Sequence, residues 1–224
     1  MFDFGKFISF QFGKSQTSET HGSQCDSQPN VALSGINDSV CLPPASSARA
    51  TILLEESLSQ VIDMRKLGTW ADQLPLRMGF EEDPRFLMAD IRCNRTTKLQ
   101  HDHFDDIRIS IVNLLSSESS IAFFTPYFGE RRFPESIQFY TTREGYEMAR
   151  HHHGPDDIFV IFHFEKSYAG GRYYEIHDGE KVVPEISPYS ACIGRGGVEH
   201  GVEAVESGVR KVLVTSWKYS ASRR

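Results

Sequence analysis

The chain has 224 residues, a formal net charge of −6 and nine histidines, a length that suits one domain with a substantial core and a tail. Hydrophobic residues make up 39% and aromatics 12%, led by sixteen Phe, which excludes a wholly disordered chain. The mildly acidic balance offers no basic stripe for nucleic acid, and no apolar run is long enough for a membrane span, so neither partner is expected.

Residues 1–50 read as a disordered N-terminal tail. The stretch SQTSETHGSQCDSQPN and the later PPASS cannot bury enough apolar surface to offset their ordering entropy. Ahead of them, Met1 to Phe12 carries aromatics at spacings of two to four, compatible with a docking strand or a short amphipathic piece. Early Asp3 and Lys6 make it a poor signal peptide, and the cytoplasm is the default location. The cysteines Cys25, Cys41, Cys93 and Cys192 form no CxxC pair, which argues against a zinc knuckle and against a disulfide framework.

From Thr51 the segment TILLEESLSQVIDMRKLGTWADQL has apolar residues near helical spacing, with Gly68 as its expected stop. DDIRISIVNLLSSESS suits a helix or a strand. After Ser120 the texture reads as β: IAFFTPYF, SIQFYTT, DIFVIFHF, GRYYEI, KVVPEI, SACIG and RKVLVTSWK are short aromatic and branched runs separated by Gly, Pro or charged turns. Such a series predicts a sandwich or barrel.

The histidines carry the chemistry. His151, His152 and His153 stand together inside the chain, between strand-like runs, and imidazole is the commonest metal ligand. Further on, GGVEHGVEAVESGVRKVLVTSWK contains His200, Val202, Val205, Ser207, Gly208, Arg210 and Trp217. Upstream, Ile137 and Gln138 open a strand, Gly145 follows eight residues after Ile137, His151 six residues after that, and Gly170-Gly171 closes the next run. Taken together, this resembles the prolyl 4-hydroxylase-like branch of the 2-oxoglutarate- and Fe(II)-dependent dioxygenases.

The resemblance implies a mainly β fold with flanking helices, a double-stranded β-helix of the jelly-roll or cupin-like kind, with residues 51–136 supplying helical support and outer strands and residues 137–224 the core that holds the metal and 2-oxoglutarate site. It implies Fe(II) held by His151, His153 and His200, 2-oxoglutarate as co-substrate with its far carboxylate on Arg210, and ascorbate as an optional accessory reductant. The expected reaction is oxidation of an unactivated C–H bond, by default hydroxylation, with a small molecule the favoured substrate over a protein. The chemistry is coherent: imidazoles on one side of the metal leave the other side for keto acid and oxygen, and a guanidinium grips a carboxylate with two prongs. Tyr140 is the candidate keto-acid contact, with Tyr146 near it; neither falls at the family's usual interval. Trp217 reads as core.

One position departs from the family. Its first motif is His-x-Asp or His-x-Glu, and His153 stands where the carboxylate belongs. Four readings follow: a three-histidine centre; a register slip making His152 the ligand and Gly154 the vacant place, as in halogenating members; Asp156 or Asp157 folding back as carboxylate; or a binding domain without metal. A three-histidine dioxygenase that uses no keto acid is a further alternative. A separate His-x-Asp, His103 and Asp105, reads as a polar turn, while His163 and His177 read as barrel-wall or surface residues.

Overall fold

The computed structural model describes residues 52–79, 82–92 and 104–219. The expected tail and the Met1 to Phe12 segment lie outside the described residues, as does His103. In chain order the elements are β1 (Ile52–Leu54), α1 (Glu56–Ser59), α2 (Met64–Ala71), β2 (Arg77–Met78), β3 (Phe86–Arg92), α3 (Asp105–Leu115), α4 (Glu118–Phe128), β4 (Phe133–Arg143), β5 (Met148–His151), β6 (Ile158–His163), β7 (Tyr168–Gly170), β8 (Tyr173–His177), β9 (Glu180–Val182), β10 (Ser190–Arg195), β11 (Glu199–Val202) and β12 (Val205–Lys218).

The strands form two antiparallel sheets. The larger runs β1-β10-β6-β12-β4-β3-β2, with β7 also on β12; the smaller runs β5-β11-β8-β9. This is a mainly β double-stranded β-helix with four helices among the described residues. Strand β12 shows how one run serves two compartments. Leu213 and Trp217 belong to the core beneath the helices, while Val212 and Val214 pack between the sheets with Phe159, Ile161, Tyr173 and Cys192. Alternation with period two sends Arg210 to that inner side as well. Strand β6 is buried at all six positions because it splits in the same way: Val160 and Phe162 face the helices, Phe159 and Ile161 the interior.

The helices depart from the sequence reading in two places. IAFFTPYF is not a strand but most of α4. Its aromatic residues count toward β propensity, yet Ile121, Phe124 and Phe128 are buried at the i, i+3, i+7 spacing of a helix face. Ser117 caps the helix by accepting from the Ser120 N–H, and Phe124 packs on Phe162 and Trp217. Gly68 does not stop a helix but lies inside α2. A Cβ there would sit 3.0 Å from the Phe164 ring, so the missing side chain admits that ring. Helix α2 is capped by Asp63, whose side chain accepts from the Lys66 N–H, and the residues before it form β1, paired to β10, followed by the short helix α1. DDIRISIVNLL is helix α3, with Ile111 and Leu115 buried. Trp217 is fully buried, and its indole N–H donates to Thr215 Oγ1 at 2.7 Å.

Among the described residues no single helix is long and apolar enough to cross a membrane.

Candidate metal and anion site

Strand pairing assembles the site. His151 is the last residue of β5 and pairs directly with His200 on β11; cross-strand partners project from the same face. His153 lies beyond the end of β5. Its N–H donates to the Gly196 carbonyl at 2.7 Å, so the β10–β11 turn holds it. Only glycine fits at 196: a Cβ would come within 2.3 Å of the Gly154 carbonyl oxygen and 3.0 Å of His153 Cβ.

The three rings converge. Centroids are 4.5 Å apart for His151 and His200, 5.1 Å for His151 and His153, and 5.2 Å for His153 and His200. Their potential ligand nitrogens all lie within 4.8 Å of one another. Nδ1 of His151 lies 2.8 Å from the Ala149 carbonyl oxygen, and Nδ1 of His200 lies 2.8 Å from that of Val198. A carbonyl can only accept, so each Nδ1 carries the proton and each Nε2 keeps its lone pair. Burial, followed by the neighbouring His151 and His153, depresses His200 to about 4. His153 is exposed at the surface, yet its ring meets those of His151, Phe159 and His200. Desolvation and then His151 lower its pKa too. Neutral imidazoles are the protonation state that binds metal. Two nitrogens sharing an ion at about 2.1 Å each stand at most about 4.2 Å apart, so a small ring movement closes the set. Three such donors suit a divalent first-row transition metal, iron included.

Arg210 lies deeper. It is 3% exposed and pairs across β12–β4 with Thr142, also buried. Arg210 Nε and Thr142 Oγ1 have no hydrogen-bond partner among the described residues, and no ion pair there includes Arg210. Burial lowers the Arg210 pKa, against the opposing effect of the nearby Tyr168 hydroxyl. A buried cation without a counter-charge is costly. A carboxylate ligand with its two acceptor oxygens fits this place. Beside it, His163 is fully desolvated and, with Arg210 nearby, held well below its ordinary pKa. His163 Nε2 lies 3.7 Å from Cys192 Sγ, and burial pushes that thiol up to about 12.

The remaining candidates lie apart from the three-ring cluster. His152 and Asp156 are exposed, and Asp157 Oδ2 accepts from the Gly154 N–H at 3.0 Å, which ties that carboxylate into its own turn. Tyr140 is half-buried on the inward side of β4, and its hydroxyl donates to Gln138 Oε1 at 2.7 Å. Tyr146 is buried and stacks on Phe86. Asp105 sits in the first turn of α3, paired with Arg108 at 3.3 Å. His163 forms part of the barrel wall, and His177 is partly exposed. Four inward residues escaped sequence reading: Thr142, Tyr168, His163 as a neighbour of Arg210, and Glu175. Period two from Tyr140 reaches Thr142; the others are brought in by strand pairing, which no local spacing reports.

A double-stranded β-helix with a cluster of imidazoles at one point and a buried guanidinium deeper in the barrel is thus the class of protein that fold and site define. No protein-family model matches the chain, and no curated protein does. Solved structures do match in fold. A 2OG-Fe(II) oxygenase family oxidoreductase from Burkholderia pseudomallei aligns with a TM-score of 0.63 at 17% identity, covering 75% of this chain and 84% of that one. AviO1 from Streptomyces viridochromogenes Tue57 gives 0.54 at 12% identity, covering 73% and 89%. HygX from Streptomyces hygroscopicus, solved with nickel and 2-oxoglutarate bound, gives 0.53 at 6% identity, covering 76% and 83%. The chain therefore shares its fold with 2OG-Fe(II) oxygenase structures.

Proposed function

We propose that the chain is an Fe(II)- and 2-oxoglutarate-dependent oxygenase acting on a C–H bond of a small molecule, with hydroxylation as the default outcome. The observation that carries this reading is the convergence of His151, His153 and His200 in a barrel that also buries Arg210 without a counter-charge among the described residues. The three imidazoles would hold the metal, their rings oriented by the carbonyls of Ala149 and Val198 and by the Gly196 turn. Arg210 and Thr142 would bind the far carboxylate of the keto acid. Bound iron would supply the oxygen activation that couples decarboxylation of the keto acid to oxidation of the substrate. Phe159, 4.8 Å from the His200 ring, and Tyr173 would exclude water from one side of the centre. A carboxylate of Asp156 or Asp157, or His152 with Gly154, would need the 152–157 turn to unfold from Gly196, so the three-histidine set is preferred.

The test is anaerobic loading with Fe(II), followed by metal analysis and measurement of succinate formed from 2-oxoglutarate. Iron-dependent succinate is expected in the wild type and its loss in His200→Ala; purified protein that binds no iron removes the assignment. His153 in the carboxylate's place also favours a second reading, a three-histidine dioxygenase without keto acid. That reading requires metal-dependent oxygen consumption with no 2-oxoglutarate added.

A further inference from the structure

The order β5-β11-β8 in the smaller sheet places a third side chain in line with two of the histidines. His200 pairs with His151 on one side and with Glu175 on the other, so all three project into the barrel in one row. We propose that Glu175 is a positioning carboxylate of the metal centre, supplying from β8 the negative charge that the histidine triplet lacks. The proposal rests on the metal-binding reading of His151, His153 and His200.

Three observations support it. Glu175 is 3% exposed, so its charge acts in a medium of low dielectric, where it is weakly screened. Its side chain is held: Tyr173 Oη donates to Oε1 at 2.9 Å, and His177 Nε2 lies 2.8 Å from Oε2. Each carboxylate oxygen thus has a polar partner beside it, which fixes the orientation of the side chain. Its place in the register sets it next to the ring, since Glu175 is the direct cross-strand partner of His200. A carboxylate there favours a divalent cation at the histidines by Coulomb attraction. Three neutral ligands leave the charge of such an ion uncompensated, and Glu175 offsets it from outside the ligand set. Tyr173 and His177 are then the groups that fix the carboxylate, as outer partners fix ligands in other metal sites.

The test uses the full chain and cobalt(II) alone as probe, with affinity read by competition against a chelator. Glu175→Gln keeps the shape but removes the charge; binding is expected to weaken about ten- to hundredfold. Glu175→Asp keeps the charge at the same strand position and is expected to lose less affinity than Glu175→Gln. His177→Lys sets a fixed ammonium against Oε2 without altering Glu175, and is expected to weaken binding as Glu175→Gln does; it decides the matter if the Gln variant does not fold. If His200→Ala abolishes binding while Glu175→Gln and His177→Lys bind as the wild type does, the role of Glu175 is overturned and the centre stands. If Glu175→Asp weakens binding as much as Glu175→Gln, the charge is not what matters and the proposal fails. If His200→Ala binds as well as the wild type, the metal centre and the proposal fall together.

Discussion

Replacing Arg210 by Met sets the stability of the empty barrel against its capacity for a keto acid. The guanidinium is buried, and its Nε lacks an acceptor among the described residues. Exchanging an uncompensated buried charge for an apolar chain of similar length stabilises by about 1–4 kcal/mol. Losing the interaction with Tyr168 returns about 1 kcal/mol of that. A net gain of about 0–3 kcal/mol is expected, and each kcal/mol moves the midpoint of a domain of this size by about 2–4 °C. Arg210→Met should therefore melt as high as the wild type without ligand or up to about 12 °C above it. With Ni(II) and 2-oxoglutarate at about a hundred times the dissociation constant, the wild type gains about 2.7 kcal/mol, while the variant gains only what the metal gives. Calorimetry with Ni(II), with and without the keto acid, compares the two proteins directly. A variant that melts several degrees lower when empty would refute the argument from an orphaned charge; one that keeps the full keto-acid shift would remove Arg210 from the anion site.

Acid should destabilise the metal-free fold. An unfolded chain protonates His200 near its ordinary 6.5, whereas the folded chain resists down to about 4. The unfolded state thus binds more protons in that window, and stability falls as pH drops from 6.5 to 4, by about 3 kcal/mol in total. His163, also depressed by burial, adds in the same direction. Urea midpoints at pH 7.5, 6 and 5 measure the slope; an unchanged slope in His200→Gln would contradict the assignment. Gly196→Ala should cost about 1–3 kcal/mol, because its Cβ meets the Gly154 carbonyl at 2.3 Å, and it should also weaken cobalt binding by shifting His153. Thermal melts and a metal titration check both effects. Trp217→Ala should cost about 3–5 kcal/mol, as its fully buried ring contacts Phe124 and Phe128; a denaturant titration showing less than half of that would mean the core collapses around the gap.

Much of the β architecture is legible in the chain because strand runs report their own surroundings. RKVLVTSWK alternates between two buried faces, and IFVIFH is apolar throughout because both faces are covered. Helix α4 was hidden, since its Phe and Tyr residues suit a strand by type and a helix only by spacing, and Pro126 within it reads as a break. His200 and Arg210 share one short stretch of chain, so their spacing is visible in the sequence. The direction of His151 depends on its pairing with His200, and the placement of His153 on the turn at Gly196, both more than forty residues downstream. Glu175 joins the row only because β8 lies beside β11. Local propensity and period are written in neighbouring residues, whereas register between distant strands is set by which pairing buries every face at once. That choice belongs to the tertiary structure.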